Sequence, residues 1–332
     1  MSNVSAIVFH EHGEPREVVR VESLPLPEVT PQSARVRLLA APINPADLNV
    51  IEGKYPIRPT LPGTPGVEGV GVVEAIGADV PGVKVGDRVL LPHGYGTWRE
   101  AGVVDARELC VVPGDLPVEQ LAMLKINPAT ALRMLRDFAD LQPGDWIAQN
   151  AANSGVGRSV IQIAHALGLR TVNLVRRAEL IPDLQAQGAD LVCVEGADSP
   201  AWPTPIRLAL NAVGGESALR LANALAPSGT LVTHGAMARQ PLRIPNGLLI
   251  FQDLRWRGFW ISQWYRATPP EAHRAMFAEL CDLLRRGILH TPVERIYPLA
   301  EAPSALVHAA RSGRSGKILF GAPEIVAQFS PA

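Results

Sequence analysis

Asp145–Arg177 reads DWIAQNAANSGVGRSVIQIAHALGLRTVNLVRR, and the fold follows from it. An apolar strand (Trp146–Gln149) runs into a turn of small residues. A helix with apolar periodicity comes next, then a second strand (Arg170–Val175). The turn sets Ala152, Ser154 and Gly157 where the fingerprint G-x-G-x-x-G has glycines. Small residues there let the backbone approach a pyrophosphate, and the N-terminus of the following helix offers free N–H groups and a partial positive charge. As a bare pattern the match is degenerate, and an ordinary strand–helix turn would also use glycine to relieve crowding. Its position between an apolar strand and an apolar-periodic helix carries the reading of a nucleotide site.

The second strand sharpens that reading. An NAD site commonly has Asp or Glu about 20 residues past the first glycine, bonded to the ribose hydroxyls. Here the strand ends in Arg176 and Arg177. Paired guanidinium groups suit a 2′-phosphate, so NADPH is expected over NADH. Two solvated arginines, with Glu179 on the ribose, are the alternative.

Around this stretch the chain alternates strand and helix: Ser159–Leu167, Ile181–Gln187, Leu191–Val194, Arg207–Asn211, Ser217–Leu225 and Thr230–Thr233. That rhythm predicts an α/β fold with an open, doubly wound parallel sheet. Gly188 and Gly229 stand where helices would stop. Before about Val118 the chain is rich in short strands (Arg35–Ala40, Gly69–Glu74, Lys84–Leu91) with turn signals, which suggests a compact, barrel-like β domain. After Gln263 come a helix (Pro270–Gly287), a strand (Glu294–Pro298), a further helix and a last strand (Lys317–Phe320). These are expected to rejoin the first domain. The expected division is residues 1–120 with 265–332 as a catalytic, substrate-handling domain and 121–264 as the nucleotide domain, with a cleft between them.

Length and composition set bounds. The 332 residues suffice for two cores, and a net charge of −1 gives no nucleic-acid footprint. The three cysteines, Cys110, Cys193 and Cys281, form no CxxC pair, and each reads as a small buried hydrophobe. No run of ~18 apolar residues predicts a membrane span. The chain enters a strand at Ala6–Phe9 without a charged-then-apolar leader, so a cytoplasmic protein is expected, with a mature organelle form left open.

Hydride chemistry needs a proton source. Zinc would need Cys, His and carboxylate ligands together. Gly66-Val67-Glu68-Gly69 has the glutamate without a histidine or nearby cysteine, and His93 and His234 are singletons. No metal site is expected. Tyr55, on a loop marked by Gly53 and Pro56, is the candidate acid, since a phenol with a pKa of ~10 is neutral and can donate. A loop-packing aromatic is the plainer reading. Asn44 and Asn127 each precede proline, which biases them to extended geometry and turns the amide outward, toward a nicotinamide carboxamide or into simple turn bonding. Lys317 reaches a phosphate or solvent. Gly258–Trp264 (GFWISQW) is dense in aromatics and reads equally as the wall of a substrate pocket or as a buried strand.

At these residues the chain resembles the medium-chain dehydrogenase/reductase superfamily and, within it, the zinc-free, mitochondrial-type 2-enoyl thioester reductases. The superfamily resemblance spans nearly the whole chain. The subgroup resemblance rests on INPADLNVIEGKYP (43–56), GTWR (96–99), INPATALRML (126–135), NSGVG (153–157) with GLRTVNLVR (168–176), LALNAVGG (208–215) and GFWISQW (258–264).

This resemblance implies a GroES-like catalytic domain beside a Rossmann domain, NADPH as cofactor, and reduction of the α,β double bond of an enoyl thioester carried on CoA or acyl carrier protein. It implies that Tyr55 is catalytic. It implies cofactor contacts at Asn127, Asn153, Ser154, Gly155, Val156, Arg176, Arg177, Ala178, His234, Gly235, Ala236, Met237, Phe259, Trp260, Ile261 and Lys317; the residue reading above adds Asn44 to this cofactor set. Trp260 and Trp264 would line the substrate pocket, Phe259–Ile261 would be a strand, and a homodimer would form through the nucleotide-domain sheets. Three positions depart from the family pattern: His234 replaces a usual tyrosine, Ala178 a common arginine, and Pro56 a common glycine. An NADPH quinone reductase and a non-catalytic NADPH-binding protein are the competing functions.

Overall fold

The computed structural model describes residues 2–196 and 202–329. They form two compact units: 1–126 with 268–285 and 290–332, and 127–267 with 286–289.

The first unit opens with a hairpin of β1 (Asn3–Phe9) and β2 (Val19–Pro25), paired antiparallel from Asn3↔Pro25 to Phe9↔Val19. Then follow β3 (Ser33–Pro42), β4 (Val70–Ile76), β5 (Arg88–Leu90), β6 (Ala101–Asp105) and β7 (Cys110–Val112). Strand β3 shows why the sheet lies as it does. Val36 and Leu38 are buried, while Arg35 and Arg37 on the opposite face hold Glu74 of β4 at 3.3 and 3.2 Å. Alternation then gives way to a wholly buried run from Leu38 to Pro42, where the strand crosses the core. That core centres on Phe9, Ile51, Trp98 and Phe320, with the last two rings edge to face at 5.0 Å.

The second unit holds β8 (Trp146–Gln149), β9 (Arg170–Val175), β10 (Leu191–Val194), β11 (Ile206–Asn211), β12 (Leu225–Thr233) and β13 (Arg255–Gly258). Their order is β10-β9-β8-β11-β12-β13, and every pairing is parallel. In chain order this is 3-2-1-4-5-6, the doubly wound arrangement whose topological switch lies between β8 and β11. The chain then returns to the first unit, where β14 (Val293–Tyr297) and β15 (Lys317–Gly321) extend the first sheet to the order β14-β15-β3-β4-β5-β7, with β6 also on β3. Among the described residues no helix is long and apolar enough to cross a membrane.

Three local expectations fail. Gly229 does not end a helix: that helix stops at Asn223, and Gly229 lies inside β12, after Ser228 at φ 60°. Asn127 is not extended but opens the helix Asn127–Asp137. The restriction ahead of proline is a bias, and Pro128 falls in the first helical turn, where its missing N–H costs nothing. Phe259–Ile261 is not a strand. Strand β13 ends at Gly258, and Ile261–Ala267 is helical.

Candidate functional site

Because the second sheet is all parallel, its strands end on one edge. Strand β9 leads there to Arg176 and Arg177, β8 to Asn150–Val156, β11 to Ala212–Gly215, β12 to His234–Met237, and β13 to Phe259. Most residues expected at the cofactor thus fall on the one edge where such sheets bind nucleotides.

The turn after β8 is built for close approach. A Cβ on Gly157 would lie 2.5 Å from the Ala152 carbonyl oxygen and 2.7 Å from that of Ala151, so only glycine fits. Ser154 caps the helix Gly155–Ala166, its hydroxyl accepting the Gly157 N–H at 3.1 Å. This cap leaves the other first-turn N–H groups of the helix for an anion. Asn153 is exposed, and Ser154, Gly155 and Val156 are half-buried. Beyond β9, Arg176, Arg177 and Ala178 are exposed. Arg177 meets Glu179 at 3.4 Å, whereas among the described residues Arg176 is in no ion pair.

Two buried amides hold the switch point. Asn150 Nδ2 donates to Asn211 Oδ1 at 2.9 Å and to Ser217 Oγ at 2.8 Å, and the Ala212 N–H donates to Asn150 Oδ1 at 2.7 Å. Asn211 Oδ1 also accepts the N–H groups of Val213 and Gly214 at 3.1 and 3.0 Å, and its Nδ2 donates to Thr233 Oγ1. These amides join the ends of β8, β11 and β12. Neither was singled out from sequence, although an amide ending an otherwise apolar strand (WIAQN, LALN) is a usable signal.

On the same edge His234 is half-buried, and burial pushes its imidazole down to about 4, so it is neutral near pH 7. Gly235 follows, and then Ala236 and Met237, both exposed. Phe259 sits edge to face with Phe138 at 5.6 Å. Trp260 carries the Arg266 guanidinium over its ring at 4.8 Å, and Trp264 carries that of Arg133 at 5.0 Å. Ile261 is buried. Asn127 is 8% exposed, and among the described residues its Nδ2 has no hydrogen-bond partner. An orphaned buried donor of this kind costs free energy unless a ligand takes it up.

Tyr55, Asn44 and Lys317 belong to the first unit. Tyr55 is half-buried on the loop after the helix Pro45–Ile51. Gly53 at φ 70°, the Lys54 N–H bond to the Asn49 carbonyl (2.8 Å) and His12 on the Ile51 carbonyl (3.2 Å) shape that loop. At the other end of the helix, Asn44 is extended (φ −100°, ψ 156°) and buried.

Around Asn44 lies a charge cluster. Its Nδ2 donates to Glu68 Oε1 at 2.8 Å, and Lys317 Nζ donates to its Oδ1 at 2.5 Å. Asp47 accepts the Asn44 and Val67 N–H groups at 2.8 and 2.9 Å. Glu68 Oε2 accepts the Ile126 N–H at 2.9 Å. Gly66, at φ 107°, lets the loop bearing Glu68 pass Thr97, whose hydroxyl would lie 2.4 Å from a Cβ there. Burial raises both carboxyl groups to about 7 against the pull of these hydrogen bonds and of Lys317, and burial lowers the Lys317 ammonium.

Residues 30–114 match the alcohol dehydrogenase GroES-like domain, and residues 187–319 match the family described as zinc-binding dehydrogenase. The zinc in that description does not fit this chain's donors. Among the described residues no three His, Cys, Asp or Glu side chains group to hold a metal. The buried carboxylates Asp47 and Glu68 have their oxygens engaged by N–H groups and lie beside an ammonium.

A GroES-like β unit with a Rossmann unit defines a medium-chain dehydrogenase/reductase. Over 318 residues the chain is 46% identical to the human "Enoyl-[acyl-carrier-protein] reductase, mitochondrial", covering 92% of this chain and 85% of that protein. The solved complex of Etr1p with NADP and crotonyl-CoA superposes with a TM-score of 0.89 at 26% identity, covering 97% of this chain and all of that one. The Etr1p/Etr2p heterodimer from Candida tropicalis, a mitochondrial 2-enoyl thioester reductase, gives 0.88 at the same identity, with 97% and 100% covered. The chain belongs to the mitochondrial-type enoyl thioester reductase family of that superfamily.

Proposed function

We propose that this protein reduces the trans-2 double bond of enoyl thioesters with NADPH. Carrying this reading is the parallel-sheet edge: a glycine-only turn, a capped helix N-terminus and an arginine pair share it. The human relative and the Etr1p complex support it.

NADPH fits the residues present. The turn Asn153–Val156 takes the pyrophosphate on backbone N–H groups. Arg176 and Arg177 take the 2′-phosphate, with the Ala178 backbone alongside. His234–Met237 and Phe259–Ile261 would hold the cofactor alongside them, and the orphan Nδ2 of Asn127 would offer its N–H to a ligand acceptor. Asn44 and Lys317 complete the contacts. When bound, NADPH supplies a hydride to the β carbon of the substrate.

The thioester carbonyl draws charge onto its oxygen as the β carbon is reduced, and a hydrogen-bond donor aimed at that oxygen is worth ~3 kcal/mol. The Tyr55 phenol, neutral at working pH, gives its proton to the α carbon. Trp260 and Trp264 wall the acyl chain, each held by a guanidinium on its ring.

We also propose a homodimer. Strand β13 is an open edge of the six-stranded sheet, and the adjoining helix Asn246–Gln252 exposes Ile250 (70%) and Phe251 (84%). Two copies joined at β13 would cover both features. For the compartment, the relative's mitochondrial name supports the organelle form over the cytoplasmic one.

Oxidation of NADPH followed at 340 nm with crotonyl-CoA and with benzoquinone tests the function. Turnover of the thioester is expected to dominate. Turnover of the quinone alone would replace this reading with the quinone-reductase one, and binding without any turnover would leave a non-catalytic NADPH-binding protein.

A further inference from the structure

Glu68 is the residue that the functional reading leaves without a task. It is 0% exposed. Its two oxygens are divided between two donors. Oε1 takes the Asn44 amide, and Oε2 takes the N–H of Ile126, the residue before Asn127. Asn44 Oδ1 in turn accepts from the Lys317 Nζ. One carboxylate therefore ties together three of the expected cofactor contacts: Asn44 directly, Lys317 through Asn44, and Asn127 through the adjacent peptide.

An amide side chain has two orientations that differ by a flip, and only its partners choose between them. Both Glu68 oxygens already accept N–H groups, one from Ile126 and one from Asn44, so Glu68 directs Asn44 to present Nδ2 to it and Oδ1 to the ammonium. The opposite orientation would set Oδ1 against a carboxylate and Nδ2 against a cation. We propose that Glu68 is a positioning residue: it fixes the orientation of the Asn44 amide and, through it, the Lys317 ammonium, so that both are preset for NADPH. This rests on the reading that Asn44 and Lys317 contact the cofactor.

The substitution Glu68→Gln discriminates sharply. A glutamine has one oxygen and one NH2 where Glu68 has two oxygens. With its oxygen on the Ile126 N–H, its NH2 faces Asn44. Asn44 must then flip, and its own NH2 meets the Lys317 ammonium, donor against donor. The Asn44–Lys317 bond is lost without a change of volume.

NADPH binding, followed by fluorescence titration of the intact chain, reads this without turnover. E68Q is expected to raise Kd for NADPH at least tenfold. In an Asn44→Ala background, where there is no amide to orient, the same substitution should change Kd less than twofold. Thr97→Val serves as the structural comparison, since the Thr97 hydroxyl donates to the Glu68 main-chain carbonyl at 2.8 Å and so loosens the same loop without touching the carboxylate. It should leave Kd within twofold of wild type. An unchanged Kd in E68Q, an E68Q effect that survives in the N44A background, or an equal loss in T97V overturns the inference. Those outcomes leave the reductase reading standing if wild type still reduces crotonyl-CoA, whereas a wild-type chain that binds no NADPH overturns both.

Discussion

Gly157→Ala places the added methyl carbon 2.5 and 2.7 Å from two backbone oxygens, those of Ala152 and Ala151. Ordinary contact needs over half an ångström more, and neither oxygen is at the end of a flexible side chain. The turn or the helix start must therefore move. Overpacking of this kind costs about 1–3 kcal/mol, which for a unit of this size lowers Tm by roughly 2–4 °C per kcal/mol. The larger effect is on the cofactor. The displaced segment carries the Ser154 cap on the Gly157 N–H and the first-turn N–H groups that would meet the pyrophosphate. A hydrogen bond to a charged group is worth about 1.5–3 kcal/mol, so losing one raises Kd for NADPH ~10- to 100-fold. Fluorescence titration with NADPH, beside a thermal melt of the apo protein, reads both effects. A variant that binds NADPH within twofold of wild type at an unchanged Tm would refute the role given to this turn.

Tyr55→Phe keeps the ring and removes the proton, so kcat for crotonyl-CoA should fall by two orders of magnitude or more, on the scale of general acid catalysis, while Kd for NADPH stays put. Near-normal turnover would remove the phenol from the reaction. Replacing Arg176 and Arg177 together by Ala should weaken NADPH at least tenfold more than NADH, as judged from the ratio of their kcat/KM values; equal losses argue against a 2′-phosphate site. Asp47 holds its proton up to about 7 because of burial, so between the ordinary carboxylate range near 4 and pH 7 the folded chain binds more protons than the unfolded one. That term lowers stability as pH rises through the window and is flat above it. In urea melts from pH 4.5 to 8, Asp47→Asn should show a smaller loss of stability with rising pH than wild type, and a matching slope would count against the raised value. Light scattering should find wild type dimeric and Phe251→Asp shifted toward monomer; a monomeric wild type refutes the β13 interface.

Strands β8, β9 and β10 were readable to the residue because each is a short apolar run buried in a parallel sheet and closed by a turn residue or a charge. The turn after β8 was readable for a related reason: its small residues answer a local steric demand that the Gly157 contacts make explicit. GFWISQW was not readable. Its aromatics favour strand, yet the chain leaves the sheet at Gly258 and turns into a helix at Ile261, with Trp260 just before it under Arg266 and Trp264 within it under Arg133. Local preference yields there to contacts made elsewhere in the fold. Glu68 was readable only as a metal ligand without companions. Its partners at 44, 126 and 317 are scattered along the chain, and only the fold shows that the cation beside it is a lysine. The switch-point amides were hidden in the same way, since Asn150 and Asn211 are sixty-one positions apart.

Isotope tracing tests the central claim most directly. Crotonyl-CoA is incubated with the wild-type protein and NADPH carrying deuterium at the transferable position, and in a parallel run with unlabelled NADPH in D2O; the product is read by mass spectrometry and NMR. The account predicts butyryl-CoA with one deuterium at the β carbon from the cofactor in the first run and one at the α carbon from solvent in the second. Cofactor oxidation with no saturated thioester formed, or cofactor deuterium found at the α carbon, would contradict it.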